Sequence, residues 1–193
     1  MKKLLSISCV FTLFIISCQQ PVKELKVKEI TDKEILLEDG TNFEIIGFGD
    51  QGTTTFILIR HAESQVIDDP DLTELGLEHA KHLTTVLKDF PLKNIFSTYT
   101  KRTRATVTPI AESQGLEIVN YSSENQEGLI TSIMRHGAGG NYLIVGHSNT
   151  IPSLLNLFKG NEVYENIDKS VYDDLFVVVA KSVGDAQIVA LKY

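Results

Sequence analysis

The sequence has little cysteine, no excess of positive charge and no long membrane-spanning run of apolar residues. Its two cysteines are Cys9 and Cys18, which are too few for a zinc site built from thiolates. Lysine and arginine number 18 against 25 aspartates and glutamates, so the formal net charge is −7. This acidic balance argues against nucleic acid as a partner, because the phosphate backbone attracts basic surfaces.

The sequence also lacks a glycine-rich phosphate loop of the form G-x-x-x-x-G-K-[ST], internal repeats and low-complexity segments. Its 193 residues, 42% of them hydrophobic, suffice for one globular domain with an appendage. We therefore expect a folded domain whose chemistry does not depend on that loop.

The N-terminal segment has the composition of a secretion leader. Two lysines precede an apolar run over 4–16 that is short for a membrane span. The run ends in Ile15-Ile16-Ser17-Cys18, which resembles a bacterial lipobox. The resemblance implies lipid attachment to the Cys18 sulfur and cleavage before it, and several acyl chains give stable anchoring. The alternative is an ordinary leader in which Cys18 has no role.

The organisation that follows has four parts. We expect a lipoprotein signal peptide over 1–17, a tether over 18–24, a β-hairpin appendage over 25–50 and the main domain over 53–193. The appendage is indicated by partial alternation of apolar residues on both sides of Asp39-Gly40, a turn signal typical of hairpins. With Cys18 lipidated, the protein would belong to the bacterial cell envelope, facing the periplasm rather than the cell surface, and would have no disulfide.

Two kinds of apolar pattern alternate along the main domain. Continuous apolar runs predict buried strands, and apolar residues at helical spacing predict helices. We predict helices over 73–88, 101–114, 125–137 and 150–158, and strands over 55–59, 94–97, 116–120, 142–145, 175–180 and 187–191. Pro109 should bend the second helix or end its first part. The alternation predicts an α/β fold, a three-layer doubly wound and mostly parallel sheet with helices on both faces.

Charged and polar residues follow two of these strands. Arg60-His61 comes directly after the strand 55–59, and Gly146-His147 comes directly after the strand 142–145. Arg102 lies where a third strand leads into a helix. Ligands of such sheets bind beyond the carboxyl ends of the strands, so we expect these side chains to meet in one crevice.

Two arginines and two histidines suit phosphoryl transfer. Guanidinium groups bind phosphate oxygens in pairs of hydrogen bonds and stay charged. A neutral imidazole is a competent nucleophile near neutral pH. Catalysis of this reaction is mostly positioning and electrostatics, so the arginines could supply the positive charge without a metal.

Four segments resemble the histidine phosphatase, or phosphoglycerate mutase-like, superfamily. Arg60-His61-Ala62-Glu63 resembles its R-H-G-E signature, and Leu72 to Ala80 resembles its L-T-x-x-G-x-x-Q-A helix start. The segment 97–106 resembles T-S-x-L-x-R-A-x-x-T, and Gly146-His147-Ser148-Asn149 resembles the second-histidine motif. Their order and spacing agree over about 53–158, the heart of the chain.

The resemblance implies specific roles. His61 would be the phosphorylated nucleophile, and Arg60, Arg102 and His147 would complete the phosphate pocket with it. The family fold, a phosphohistidine intermediate, and the absence of a metal or other cofactor are implied as well.

Some residues depart from the family pattern. Ala62 replaces the usual glycine, and Ile67 stands where mutase-like members often have a phosphate-contacting asparagine. Gly146 follows Arg102 by only 44 positions, which leaves no room for the long insertions of true mutases.

The proton donor to the leaving group is the least defined role. Larger family members have a glutamate some two dozen residues after the motif arginine, where this chain has Glu124 and Glu127. We favour Glu127 as the acid. Glu124, or no acid at all, are the alternatives, because a phosphoramidate leaving group needs different proton handling.

We therefore expect a metal-independent phosphatase that acts on phosphomonoesters or phosphoramidates, in a small molecule or a phosphoprotein. The first alternative is a phosphoglycerate-type mutase. The second is a non-catalytic envelope lipoprotein that binds a phosphorylated ligand or a partner.

Overall fold

The computed structural model describes residues 24–66 and 68–193. The leader, Cys18 and Ile67 lie outside the described residues. Its strands are β1 Val27–Ile30, β2 Ile35–Leu37, β3 Asn42–Phe43, β4 Thr54–Arg60, β5 Asn94–Ser97, β6 Ile118–Asn120, β7 Asn141–Gly146, β8 Asp174–Ser182 and β9 Asp185–Lys192. Its helices are α1 Glu74–Val86, α2 Lys101–Gln114, α3 Gln126–His136 and α4 Thr150–Lys159.

Six of the strands form the central sheet, in the order β6-β5-β7-β4-β8-β9. The strands β6, β5, β7 and β4 run parallel, whereas β8 is antiparallel to both of its neighbours. The chain reaches β5, β6 and β7 through a helix each, as connections between parallel strands require. The predicted α/β fold with a mostly parallel sheet is confirmed.

Helices cover both faces of this sheet. On one face, Ile57 of β4 and its neighbours pack with residues of α1 and α2 such as Leu83 and Ile110. On the other face, Phe56 and Leu58 pack with residues of α3 and α4. Alternating side chains of a fully buried strand therefore enter two separate cores, which explains why β4 reads as a continuous apolar run.

The N-terminal appendage is a three-stranded antiparallel sheet in the order β1-β2-β3. Asp39 and Gly40 form the turn between β2 and β3, and Gly40 has φ of 83°. The predicted hairpin is therefore present with one further strand. Apolar residues of the small sheet, including Ile30 and Ile35, join the core beneath α1 and α2. Lys192 of β9 donates its backbone N–H to the carbonyl of Leu25 at 2.8 Å.

Two local features refine the helix predictions. The helix α2 runs without a break from Lys101 to Gln114 with Pro109 inside it, so the proline does not end its first part. No helix within residues 24–66 and 68–193 combines the length and apolarity that crossing a membrane requires.

Candidate active site

The carboxyl ends of β4 and β7 form the floor of the site. These strands pair in parallel with Arg60 opposite Gly146, and the His61 N–H donates to the carbonyl of Gly146 at 3.0 Å. The two residues that follow the strands, His61 and His147, therefore leave the sheet side by side. Their ring centroids lie 5.5 Å apart with an interplanar angle of 66°.

Close backbone contacts fix the two loops that carry the histidines. A Cβ at Gly76 would overlap the carbonyl oxygen of Glu63, so glycine lets α1 pack directly on the loop after His61. A Cβ at Gly146 would approach Thr150 Oγ1 to 2.5 Å, and that oxygen accepts a 2.8 Å hydrogen bond from the His147 N–H. Both glycines belong to the motifs seen in the sequence, and both act through close approach.

The tautomer of His61 follows from its hydrogen bond. Its Nδ1 lies 2.7 Å from the carbonyl oxygen of Ala62. A carbonyl oxygen only accepts, so Nδ1 carries the proton and donates. In the neutral ring, the lone pair is then on Nε2. Since His61 is 6% exposed, the ring is held with this nitrogen as its nucleophilic atom.

His147 has the opposite tautomer. Its Nδ1 accepts a hydrogen bond from Arg102 Nη2 at 3.3 Å, because a guanidinium only donates. Its Nε2 therefore carries the proton and donates to Thr98 Oγ1 at 3.0 Å. Thr98 in turn lies 3.0 Å from Thr103 Oγ1, and Thr103 donates to backbone carbonyls. This chain of buried threonines fixes the orientation of the imidazole and, through it, of Arg102.

Arg102 comes from the first turn of α2, which also supports the loop after His61. The Ala62 N–H donates to Thr106 Oγ1 at 2.9 Å, and Thr106 donates to the carbonyl of Arg102 at 2.7 Å. One hydroxyl thus connects the loop that carries His61 to the helix that carries Arg102.

Arg60 points away from the threonines, towards the connection between α4 and β8. Its Nη1 donates to the backbone carbonyls of Asp168, Lys169 and Val171 at 3.0, 3.1 and 2.7 Å. Arg60 is 5% exposed, so its charge is buried. Its hydrogen bonds go to backbone dipoles, and the Asp168 carboxylate adds a favourable electrostatic interaction.

Both histidines are held in the neutral form. Burial is the main reason that the pKa of His61 is lowered to about 4. The charges of Arg102 and Arg60 also lower this pKa, whereas the hydrogen bond to the Ala62 carbonyl raises it. Burial and the same two arginines lower the pKa of His147 to about 4. At neutral pH the site therefore offers an unprotonated imidazole nucleophile beside two permanent cations.

The site opens into a cavity of about 410 Å³. Its lining residues are Arg60, His61, Ser64, Gln65, Val66, Pro70, Arg102 and Tyr172. His147 meets this group through Arg102. The structure therefore brings together the four predicted residues Arg60, His61, Arg102 and His147.

Glu127 is not brought into the wall of this cavity. It is exposed in the first turn of α3, and with Glu124 it lines a different cavity of about 780 Å³ between α3 and α4. The assignment of Glu127 as the acid stays a prediction that the geometry of the free protein does not support.

Two other charged residues of the motif segments have structural partners. Glu63 Oε2 lies 3.1 Å from His79 Nδ1 on α1, so it pairs with a histidine rather than with an arginine. Arg104 donates to Asn120 Oδ1 at 2.7 Å. In the part of the chain that the structure describes, no group of three or more His, Cys, Asp or Glu side chains could hold a metal ion.

Sequence reasoning missed three residues that complete the site. Thr98 and Thr106 lie in the 97–106 segment, and their excess of hydroxyl groups beside Arg102 was the available signal. Tyr172 lies 111 positions after His61, in a connection with no motif of its own, so nothing in the sequence associated it with the crevice.

The comparison with family models gives a match to "Histidine phosphatase superfamily (branch 1)" over residues 56–124. Phosphoserine phosphatase 1 of Hydrogenobacter thermophilus is 42% identical over 71 residues, 33% of this chain and 34% of the relative. The 2,3-bisphosphoglycerate-dependent phosphoglycerate mutase of Thermoplasma acidophilum is 38% identical over 72 residues, 33% of this chain and 36% of the relative. The matches thus span about a third of the length of these curated relatives.

Solved structures share the fold over more of the chain. The protein histidine phosphatase SixA, solved with tungstate, has a TM-score of 0.62 at 12% identity, covering 72% of this chain and 96% of that one. A mycobacterial glucosyl-3-phosphoglycerate phosphatase has a TM-score of 0.61 at 12% identity, covering 72% of this chain and 99% of that one. At this level of identity the likeness is one of fold.

Proposed function

The chain belongs to the histidine phosphatase superfamily, and from this premise we propose that it is a phosphatase that works through a phosphohistidine intermediate on His61. Its substrates would be phosphomonoesters or phosphoramidates. The observation that carries the proposal is the Nδ1 bond of His61 to the Ala62 carbonyl, because it leaves Nε2 as the nucleophile in a cavity lined by two guanidinium groups.

The first chemical step would form a P–N bond. The Nε2 lone pair of His61 attacks phosphorus, and the P–O or P–N bond to the leaving group breaks with its electron pair going to the leaving group. Arg60 and Arg102 would hold the equatorial oxygens, and guanidinium clamps of this kind stabilise the charge of the transition state. The developing positive charge on the ring is shared through Nδ1–H with the Ala62 carbonyl.

The second step would return the enzyme to its starting state. Water attacks phosphorus, the P–N bond breaks, and its electron pair returns to Nε2. One proton of the water is released, and phosphate leaves. No step needs a metal, because the arginines supply the positive charge.

The leaving group must also gain a proton. The side chains that line the cavity include no carboxyl group, which favours substrates whose leaving group departs without a strong acid. Aryl phosphates with an electron-withdrawing substituent, such as p-nitrophenyl phosphate, and phosphoramidates whose nitrogen is already protonated have this property. Glu127 could serve only if substrate binding brought it to the crevice.

A mutase is the second candidate, and the relative named as a phosphoglycerate mutase favours it. The chemistry on His61 would be the same in its first half. A mutase would return the phosphoryl group to an organic acceptor, whereas a phosphatase gives it to water. Release of inorganic phosphate in the absence of an acceptor distinguishes the two.

The test uses the full chain in detergent with EDTA and p-nitrophenyl phosphate. Phosphate release is followed together with mass spectrometry of an acid-labile phosphoryl group on His61. We expect turnover and label, and the loss of both in His61→Ala, because removal of a nucleophile costs several orders of magnitude in rate. His136→Ala is the matched control, since His136 is exposed at the end of α3. Turnover retained in folded His61→Ala would refute the mechanism.

We further propose that the protein is anchored to a membrane of the bacterial envelope through a lipid on Cys18. The support is the order of basic residues, apolar run and Ser17-Cys18 in the sequence. Incorporation of labelled palmitate and partition into detergent, both lost in Cys18→Ser, are the expected results. An unlabelled wild-type protein would contradict the anchor.

A further inference from the structure

The guanidinium of Arg60 is fixed on one side before any substrate binds. Its Nη1 faces the carbonyls of Asp168, Lys169 and Val171, all within 3.1 Å. A nitrogen with two protons and three close acceptors has none left for a ligand. Arg60 Nε is buried and has no hydrogen-bond partner. The three carbonyls therefore determine which N–H groups of Arg60 remain available to bind phosphate.

The segment that supplies these carbonyls is itself anchored. The Ile167 N–H donates to the carbonyl of Ser148 at 2.8 Å, next to His147. The Asp168 carboxylate accepts from the N–H and the hydroxyl of Ser170 at 2.8 and 2.6 Å. The connection between α4 and β8 thus forms a compact turn tied to the loop of the second histidine.

Tyr172 ends this turn and covers the other side of Arg60. The Arg60 Cζ lies 4.0 Å from the centroid of the Tyr172 ring, within the range of a cation–π interaction. The same ring has its centroid 5.9 Å from that of His61. Tyr172 also lines the cavity that Arg60, His61 and Arg102 share.

A buried guanidinium held only by backbone carbonyls could still pivot about its bonds to them. The aromatic ring removes that freedom, because it favours the cation over its face and blocks other orientations. The rotamer freedom of a long side chain must otherwise be lost when phosphate binds. A guanidinium already fixed in place avoids that loss.

We propose that Tyr172 is a positioning residue, whose ring holds Arg60 in the orientation that receives the phosphoryl group. Tyr172 acts through Arg60 and takes no part in proton transfer. The Tyr172 hydroxyl also interacts with the guanidinium, and we assign the larger effect to the ring, over whose face the cation lies. The inference rests on the proposed function, since it assigns Arg60 to phosphate.

The test measures binding of inorganic phosphate and of tungstate to the full chain in detergent by calorimetry, which needs no turnover. In Tyr172→Leu we expect both oxyanions to bind about tenfold more weakly, the loss that a partly buried cation–π contact gives. In Tyr172→Phe the ring is kept, and we expect binding within about twofold of the wild type. Tyr164→Leu is the matched control, since half-buried Tyr164 lies in the same connection, faces Phe176 and lines the other cavity.

A spectroscopic readout separates positioning from a general loss of structure. The Nε–H signal of Arg60, assigned by its absence in Arg60→Lys, should show the ring-current shift of a proton over an aromatic face. We expect that shift in the wild type, Tyr172→Phe and Tyr164→Leu, and its loss in Tyr172→Leu.

Several results would overturn the inference. They are wild-type affinity in Tyr172→Leu, an equal loss in Tyr172→Phe, an unchanged Arg60 signal in Tyr172→Leu, or a wild-type protein that binds neither oxyanion. A wild type that binds phosphate but never turns over p-nitrophenyl phosphate would refute the proposed function alone and leave the role of Tyr172 standing.

Discussion

Two cavities of this protein differ in size and in chemistry. The one between α3 and α4 has about 780 Å³ and is lined by the carboxylates Glu124, Glu127 and Glu162 together with several amides. The one around His61 has about 410 Å³ and includes two guanidinium groups. A phosphate dianion is attracted to the second and repelled by the first. Charge, rather than volume, favours the cavity around His61 as the proposed site of phosphoryl chemistry.

The two cavities also differ in how firmly their side chains are held. Around His61, both histidines and Arg60 have hydrogen bonds to fixed partners, many of them backbone carbonyls. The glutamates of the larger cavity are exposed and would lose side-chain entropy on binding a ligand. Preorganised donors are the feature that catalysis of a charged transition state requires.

The sharpest test of this contrast is a pair of arginines on one helix. Arg102→Ala should lower kcat/KM by about 10²–10³-fold, because it removes a charge directed at the transition state. Arg104→Ala should change kcat/KM by less than about threefold, since Arg104 bonds to Asn120 outside the cavity. Steady-state kinetics of both variants with p-nitrophenyl phosphate give the comparison. Similar losses of kcat/KM in the two variants would mean that the substitutions act by disturbing α2 rather than by removing the charge of Arg102.

The acidity of the two site histidines gives the next largest effect. With both pKa values lowered to about 4, each imidazole stays about 90% neutral at pH 5, whereas a histidine at its ordinary pKa of about 6.5 would be about 3% neutral. We expect the imidazole NMR signals that disappear in His61→Ala and His147→Ala to titrate near pH 4. Titration of these signals near pH 6.5 would show that water reaches the two imidazole rings more than their burial implies.

The same shifts predict how stability depends on pH. The unfolded chain binds protons on these histidines near pH 6.5, and the folded chain binds them only near pH 4. The unfolded state therefore holds more protons in that window, so the free energy of unfolding falls as the pH falls through it. Urea titrations between pH 7 and 4 should show this slope, and it should be shallower in His61→Ala.

The smallest effect is expected in the larger cavity. Glu127→Gln should change kcat/KM by less than about twofold for both p-nitrophenyl phosphate and phenyl phosphate, because exposed substitutions away from the chemistry are usually tolerated. A loss confined to phenyl phosphate, which has the poorer leaving group, would identify Glu127 as the proton donor. That result would join the two cavities into one active site and break the contrast between them.

Much of the fold could be predicted from local pattern. The apolar runs predicted β4 and β7 to within a residue or two, and the helix over 101–114 has the bounds expected. The two strands are buried on both faces and therefore show as continuous apolar runs, whereas the helix is buried along one stripe and shows helical spacing. The hairpin predicted around Asp39-Gly40 corresponds to β2 and β3, whereas β1, which pairs with β2, lies before the stretch that this turn signal marks.

The candidate site likewise has residues that the sequence predicted and contacts that it could not predict. Arg60, His61, Arg102 and His147 could be predicted because each lies in a motif at the end of a predicted strand or the start of a helix. The contact between Arg60 and Tyr172 could not, because it joins residues 112 positions apart in segments without a shared pattern. The position of Glu127 depended on where α3 packs, which spacing along the chain does not determine.

The sequence by itself determined the chemistry available to this protein: which residues can be nucleophile and cation, and which strands bring them to one edge of the sheet. Tertiary structure decided the tautomers and the pKa values of the two histidines. The proton of His61 lies on Nδ1 because the Ala62 carbonyl faces it, and that of His147 lies on Nε2 because Thr98 and Arg102 flank its ring. The reason is physical: a tautomer depends on the directions of hydrogen-bond partners and a pKa depends on burial. Both exist only once the chain has folded.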